Sequence, residues 1–359
     1  AIGQLDTERR FTTEMIDFIE ATAIPPWGRV GELYRPMVDH AVWLWGLGYK
    51  LTSPLWVKSA LNAVVASIAG PKMAQLLRQY KADLIVSTHP LATSVPGRLL
   101  RRLRPELPFV TVVTDLATTH PFWFWKGATQ TFVASEEAAR RAVAAGVPEE
   151  TVRLCGLPID LQFAELPRLK EQVKREYGIP ADRSLVLVLG GGEGMGNLEG
   201  LATAIARSGL PLAQMVIAGR NEGLRRRLSQ KNWEIPTTIT GFVRDMPRRM
   251  AAADLLITKA GPSTLSEGVA AGLPILITGF IPGQEEGNVR WITDSGAGRL
   301  TPSPDEVAIA LQGLFNAQGP TILHRQAQQA AAELAKPTAA LDIAAQLMAL
   351  ANESARPTV

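Results

Sequence analysis

Residues Leu185 to Asn197, Leu-Val-Leu-Val-Leu-Gly-Gly-Gly-Glu-Gly-Met-Gly-Asn, set a short apolar run against a glycine-rich turn that opens a helix. Five of the seven residues from Gly190 to Gly196 are glycine, which leaves main-chain N–H groups uncovered and lets φ turn positive. A phosphate can then lie against amides and the positive end of the following helix. The loop is not a Walker sequence, lacking the closing Gly-Lys-Ser/Thr. Nor is it a clean G-x-G-x-x-G with an acidic residue about twenty positions later. A plain strand-to-helix turn needs one or two glycines, so this loop reads as a place of ligand approach.

Outward from this loop the chain alternates strand-like and helix-like segments. After it come strands at Met215 to Ala218, Ile239 to Phe242, Leu255 to Thr258 and Ile275 to Thr278, interleaved with helices after Asn197, at Glu222 to Ser229, near Met246 to Ala252 and from Ser263 to Ala271. Before it, the strands are Phe11 to Ile19, Leu84 to Ser87, Phe109 to Thr114 and Thr131 to Ala134, with helices at Pro96 to Leu103 and Glu136 to Ala145. Such alternation predicts parallel βαβ units, an α/β fold. A composition change after Gly156-Leu157-Pro158 marks a boundary between domains 1–158 and 159–335. The Ala- and Gln-rich tail from Thr321 to Ala351 is helical, and 336–359 forms a C-terminal helix for which packing back on the first domain is one arrangement.

Composition excludes several classes. The 359 residues are 46% hydrophobic and 20% charged, as in ordinary globular proteins, and the single Cys155 permits neither an internal disulfide nor a Cys-based zinc cluster. The four histidines, at 40, 89, 120 and 324, show no metal-ligand spacing, so no metal is expected. Uncharged runs such as Ser59 to Pro71 fall short of the roughly 18 to 20 apolar residues of a spanning helix, and no signal peptide opens the sequence. Charge and aromatics are unevenly spread. Val42 to Val110 holds nine basic residues (Lys50, Lys58, Lys72, Arg78, Lys81, Arg98, Arg101, Arg102, Arg104) against Asp83 and Glu106. Trp27, Trp43, Trp45, Trp56, Trp123 and Trp125 all fall in the first 125 residues. Tryptophans with cations suggest a surface resting on an anionic membrane, with Trp43, Trp45, Trp56, Arg101 and Arg102 as its contacts. Core tryptophans beside a solvated basic face is the plain alternative. Nucleic acid is the weaker third reading, because the candidate site residues belong to small-molecule chemistry.

Two further stretches carry chemistry. Thr258-Lys259-Ala260-Gly261-Pro262-Ser263-Thr264-Leu265-Ser266-Glu267 is again a strand end entering a helix. Ser263 or Thr264 can present hydroxyls and free N–H groups to a diphosphate, and Glu267 one turn on can accept from a ribose diol. The alternative is a merely capped and solvated helix. Pro282-Gly283-Gln284-Glu285-Glu286-Gly287-Asn288 reads as a turn that sets amide beside carboxylate, equipment for reading sugar hydroxyls.

Taken with "GFVRDM" (Gly241 to Met246), "ITKAGPSTLSEGVAAGLPILITGFIPGQEEGNV" (Ile257 to Val289), "STHPLATSVPGRLLRR" and "VTDLATTHPFWF", these motifs resemble the monogalactosyldiacylglycerol synthases and related processive diacylglycerol glucosyltransferases, over about residues 10 to 345. Those are inverting GT-B glycosyltransferases, kin of the peptidoglycan N-acetylglucosaminyltransferase. The resemblance implies two Rossmann-like domains facing each other across a cleft, and transfer of galactose or glucose from UDP-galactose or UDP-glucose to 1,2-diacylglycerol. UDP-sugar would be a substrate, with no cofactor and no required metal. The enzyme would be a peripheral, monotopic protein on the cytoplasmic face of a membrane, with no nucleic acid partner.

Carried over by residue, the resemblance implies that Phe242 and Val243 hold the uracil and Glu267 the ribose. Gly191, Gly192 and Gly194, with Gly261, Ser263 and Thr264, would hold the diphosphate. Gln284 and Glu285 would bind the hexose, Asn288 shaping their turn. In the first half Asp115 and His120 would face the acceptor, with His89 at another strand end; a structural role is the alternative for each histidine. Family members open with a strand and a Gly-Gly-Gly-His-Arg loop, whose His is implicated in activating the acceptor. This sequence starts beyond that point, so the first domain lacks its first strand and glycine-rich loop, which reads as truncation. The rival is a catalytically impaired nucleotide-sugar-binding paralogue; a transferase acting on a soluble acceptor is another. A smaller departure is Trp125, where relatives often carry His.

Overall fold

Short β-branched and aromatic runs form the first sheet. Ile85–Ser87 (β1), Phe109–Val112 (β2), Gln130–Val133 (β3) and Val152–Leu154 (β4) lie parallel in the order β1-β2-β3-β4. One face is closed by the C-terminal helix Ala339–Ser354, whose Ile343 and Leu347 pack on Val110, Val112 and Phe132. On another side Leu77, from the long helix Leu55–Gln79, meets Leu100, Phe109 and Trp125. These elements belong to one compact unit, made of Ala1–Pro158, Ile281–Gln284 and Thr338–Val359.

A second compact unit comprises Ile159–Phe280 and Glu285–Pro337. Its strands are Ser184–Leu189 (β5), Leu212–Ile217 (β6), Thr237–Thr240 (β7), Leu255–Thr258 (β8), Ile275–Ile277 (β9) and Gly298–Leu300 (β10), all parallel, in the order β10-β9-β8-β5-β6-β7. β5, β6 and β8 are buried along their whole length, as near-continuous Val, Ile and Leu runs require in a sheet covered on both faces. Helices Leu198–Ala206 and Pro304–Leu314 share this core through Leu201, Ile205, Val307 and Leu311. The protein is described from a computed structural model over residues 1–22, 42–166, 170–191, 194 and 196–354.

Three expectations are corrected. Phe11 to Ile19 is no strand: residues 11–17 have no regular structure and Phe18–Thr22 is helical. Phe18 packs with Leu77 and Leu100, and the Phe11 N–H donates to Asp6 Oδ2 at 2.7 Å, so the segment meets helices and a local cap rather than a strand edge. The tail is two helices, Ile322–Leu334 and Ala339–Ser354, because Pro337 between them lacks the N–H that would continue the first. Residues 282–288 are not all turn, since the helix Glu286–Ser295 begins within them.

Candidate nucleotide-sugar site

The strand order of the second unit reverses between β5 and β8. β5 leads outward to β6 and β7 on one side, and β8 to β9 and β10 on the other. Open α/β sheets bind ligands outside the carboxyl ends of the strands at such a switch point. Register aligns Leu189 with Ile217 and with Thr258, so the loops after β5, β6 and β8 leave the sheet at one level.

The loop after β5 is a tight turn, with the Gly194 N–H donating to the Gly191 carbonyl at 3.1 Å. Gly191 has φ +72° and Gly194 φ +64°. A Cβ on Gly194 would stand 2.2 Å from the Ala218 carbonyl oxygen, so this backbone approach admits only glycine. Gly192 lies outside the described residues, as does Trp27. Asn197 caps the following helix, its Oδ1 accepting from the Gly200 N–H at 2.9 Å.

The loop after β8 delivers Gly261 as N-cap of the helix Pro262–Ala270. The first intrahelical bond runs from the Leu265 N–H to the Gly261 carbonyl at 3.0 Å, so the N–H groups of Ser263 and Thr264 precede the ladder and point out of the helix end. Ser263 is exposed and Gly261 makes no side-chain cap. One turn on, Glu267 is half-buried and its carboxylate makes no hydrogen bond among the described residues. Burial, with Asp160 as a smaller repulsion, pushes its carboxyl up to about 7.

After β6 and β7 stand Arg220 and Phe242. Phe242 is 55% exposed, and the Arg220 guanidinium lies 5.0 Å from its ring centroid. Val243 beside it is half-buried. A flat cation against an exposed ring at a strand end is a surface on which a base can stack.

The sugar-reading stretch behaves otherwise than as one turn. Gln284 belongs to the first unit, where its Oε1 accepts from the Trp45 indole N–H at 3.1 Å. Glu285 belongs to the second and is 2% exposed, its Oε1 2.6 Å from Lys259 Nζ. Asn288, also buried, donates from Nδ2 to the Ala260 carbonyl at 3.0 Å and so ties the helix Glu286–Ser295 to the loop after β8. Lys259 and Arg220 escaped sequence reasoning as functional residues. Their signal was position: a cation within three residues of the end of a buried strand.

In the first unit His120 is held on every side by its neighbours. Its Nδ1 accepts from the Phe122 N–H at 3.2 Å and its Nε2 lies 3.1 Å from Thr52 Oγ1, so both ring nitrogens are engaged. Phe122 stacks on the ring and Tyr49 meets it edge-on. Burial pushes its pKa down to about 4, which keeps it neutral. His89 keeps one side open to solvent, with Nδ1 accepting from the Leu91 N–H at 3.3 Å, and partial desolvation of its ring lowers its pKa against the pull of Asp17. Asp115 is half-buried and accepts from the Trp123 indole N–H at 2.7 Å.

The membrane candidates separate. Trp43 is 68% and Trp56 75% exposed, in the helices Val42–Thr52 and Leu55–Gln79. With them Leu44, Leu47, Leu51, Leu55, Val64 and Ile68 stand exposed, on a stretch with no Asp or Glu from Val42 to Gln79. Trp45 is not part of this face, because it is half-buried and its N–H is used by Gln284. Lys58 does not add to the surface charge either: it is buried, donates to the Phe124 carbonyl, and burial lowers its pKa to about 8. Arg101 and Arg102 are exposed in the last turn of the helix Ser94–Leu103. Its cap residue Arg104 donates to the Tyr80 and Ala82 carbonyls, which places the pair at the end of Leu55–Gln79 opposite Trp56. No helix of the described residues is long and apolar enough to cross a membrane.

Comparison with solved structures identifies the architecture. MurG of Acinetobacter baumannii superposes with a TM-score of 0.58 at 17% identity, covering 80% of each chain. Anabaena Alr3699/HepE in complex with UDP gives 0.51 at 16% identity, covering 80% of this chain and 84% of that one. Two parallel α/β units of this kind, one with an open glycine cradle at its switch point, define the GT-B class of glycosyltransferases. Residues 3–159 match the family model for monogalactosyldiacylglycerol (MGDG) synthase, and 185–343 that for the glycosyltransferase family 28 C-terminal domain. Monogalactosyldiacylglycerol synthase 2, chloroplastic, of Arabidopsis thaliana is 38% identical over 319 residues, 86% of this chain and 68% of that protein. The chain belongs to the monogalactosyldiacylglycerol synthase family.

Proposed function

We propose that this glycosyltransferase moves galactose, or glucose, from its UDP conjugate to the free hydroxyl of 1,2-diacylglycerol with inversion, giving a β-glycosyldiacylglycerol. The observation that carries the donor half is the pairing, at one switch point, of an open glycine cradle with an unsatisfied carboxylate one helical turn away. In this reading the amides of the two turns take the diphosphate, Glu267 accepts from the ribose diol, and uracil lies on Phe242 near Arg220. Charge grows on the departing UDP, so fixed N–H dipoles aimed at the diphosphate stabilise the transition state more than the bound donor. These groups supply that stabilisation without a metal; unchanged turnover in EDTA is the expected result.

The acceptor half rests on the family and on the exposed apolar face of Val42 to Gln79. Tryptophan rings and leucines there would seat in the interface while the lysines meet anionic headgroups, bringing the enzyme to a lipid that stays in the bilayer. A soluble acceptor would give that face no task. The acceptor hydroxyl would lose its proton to a base, for which Asp115 and His89 are the candidates in the described first unit.

The test is a donor panel against diacylglycerol in vesicles, with the product anomer read by NMR. A β-linked hexosyldiacylglycerol from one or both UDP-hexoses is expected. UDP binding with no transfer to any lipid would favour the non-catalytic paralogue, and transfer to a water-soluble acceptor alone would remove the lipid reading.

A further inference from the structure

Lys259 stands where the two glycine turns of the second unit come together. A Cβ built on Gly261 would lie 3.2 Å from Lys259 Nζ, and one on Gly191 would lie 3.6 Å from Lys259 Cε. Its stem therefore crosses the glycine loop, and its ammonium rests over the bare Cα of the helix N-cap. Any side chain at Gly261 would crowd it.

What holds the ammonium there is Glu285, at 2.6 Å. The Glu285 side chain is 3% exposed and that of Lys259 26%, so the carboxylate is sealed in the protein while the lysine keeps one side open. Glu285 is itself fixed as the N-cap residue of Glu286–Ser295. An ammonium carries three donors, and one charge-assisted bond to Glu285 leaves the others for a ligand. A sealed carboxylate is poorly placed to read sugar hydroxyls, and well placed to aim a cation.

We propose that Lys259 is the cation that carries the charge of the leaving diphosphate, and that Glu285 is a positioning residue which holds it over Gly261. The inference deepens the nucleotide-sugar reading of this site and rests on it. When the bond between the sugar C1 and the β-phosphate oxygen breaks, its electron pair stays on UDP, where Lys259 and the amides of the turns meet it. The acceptor oxygen bonds to C1 as its proton leaves to the base. Glu285 touches neither reactant.

The test compares UDP with uridine, which lacks the phosphates, by calorimetry on the full chain. Lys259→Gln should weaken UDP binding about tenfold to a hundredfold, as expected for hydrogen bonds to a charged group, and leave uridine binding unchanged. Glu285→Gln should weaken UDP binding less, about threefold to tenfold, again with uridine unchanged. Lys259→Gln with Glu285→Gln should match Lys259→Gln alone, since Glu285 acts through Lys259. The double variant also removes the stranded buried carboxylate, so it reports even if Lys259→Gln alone fails to fold. A UDP to uridine affinity ratio equal to the wild type's in Lys259→Gln or in the double variant overturns the proposal. Effects of the two substitutions that add in full would overturn the positioning role and return Glu285 to the hexose. Wild-type chain that binds neither compound overturns the nucleotide reading and this proposal together, whereas wild type that binds both, with an unmoved ratio in the variants, overturns this proposal alone.

Discussion

The two sheets end differently, and the difference locates the chemistry. In the first unit the strands run in unbroken order from β1 to β4, and two of the loops that follow close on themselves. After β1 and after β2 a His-Pro pair opens a short 3-10 turn, and each histidine Nδ1 accepts from the N–H two residues on. In the second unit the order reverses at β5 and β8, and among the described residues the strand ends there present helix-end amides, the half-buried Glu267 carboxylate and the exposed Phe242 ring with Arg220 against it. Polar residues at a strand end are thus no guide by themselves. What distinguishes a ligand site is the gap made by the reversal, and whether the local groups have already satisfied one another.

Gly194 offers the largest way to break this contrast. Alanine there would put a Cβ 2.2 Å from a backbone oxygen at φ +64°, and the backbone has little room to yield beside a buried strand. Gly194→Ala is expected to cost about 2 to 5 kcal/mol of stability and to abolish UDP binding. Gly196 is the control, with φ +88° and nothing within 4 Å of a Cβ. Gly196→Ala should cost about 1 to 2 kcal/mol and bind UDP. Urea unfolding with calorimetry separates the two; equal behaviour would remove the close approach as the reason for glycine.

Next in size is Glu267. Glu267→Ala should weaken UDP by about 1.5 to 3 kcal/mol while the fold persists. The pH dependence sharpens the assignment. The ionised carboxylate accepts from the ribose, and its pKa is pushed up to about 7, so wild-type affinity for UDP should fall as the pH drops through 7, and Glu267→Gln should lose this dependence. Stability moves the other way. A carboxyl whose folded pKa lies above its unfolded value binds more protons when folded, so its contribution declines as pH rises from the unfolded carboxylate range towards 7. UDP affinity in the wild type that is flat across this window would place Glu267 outside the ribose site.

The exposed helices of the first unit give a smaller effect. Trp43→Ala and Trp56→Ala should each reduce co-sedimentation with anionic vesicles about tenfold, with little dependence on salt, because an interfacial ring acts through its apolar surface. Trp45→Ala should change it less than twofold to threefold, since that ring is committed to Gln284. Reversing Arg101 and Arg102 to Glu should act mainly at low salt, each charge near an anionic surface being worth about 1 kcal/mol. If the arginine pair outweighs the tryptophans at physiological salt, the membrane meets the opposite end of Leu55–Gln79 from the one assigned here.

Legibility followed periodicity and local chemistry. Helix Glu222–Ser229 and strand Leu255–Thr258 were readable to the residue, because asparagine caps the one and polar residues bound the other. The two glycine turns were readable because glycine has few other reasons to cluster. Val42–Thr52 and Leu55–Gln79 were read as composition, tryptophans and cations, and not as helices: their apolar residues surround the axis instead of marking one face. β4 (Val-Arg-Leu) and β10 (Gly-Arg-Leu) each carry a central arginine and no buried residue, so they lack the apolar run that made the equally short β1 and β9 legible. In the site, residue types were legible and their commitments were not. Nothing in Gln284-Glu285 tells that one side chain serves a tryptophan and its neighbour a lysine in different units. Lys58 shows the same limit, counted among surface charges yet buried against a carbonyl.

The smallest effect tests the first sheet's half of the contrast. If His120 serves its own turn, then what matters is an acceptor placed where Nδ1 meets the Phe122 N–H. Asparagine supplies such an acceptor from its Oδ1, whereas alanine leaves the N–H of a buried turn without one. His120→Ala should therefore cost about 0.5 to 2 kcal/mol in urea unfolding, the scale of a lost cap, and His120→Asn should recover most of that. Because the imidazole is already neutral far below pH 7, with a pKa near 4, neither variant should shift the pH profile of turnover above pH 5. Recovery of stability without recovery of turnover in His120→Asn would instead show that the ring itself takes part in the reaction, and the two sheets would then differ less than their strand ends indicate.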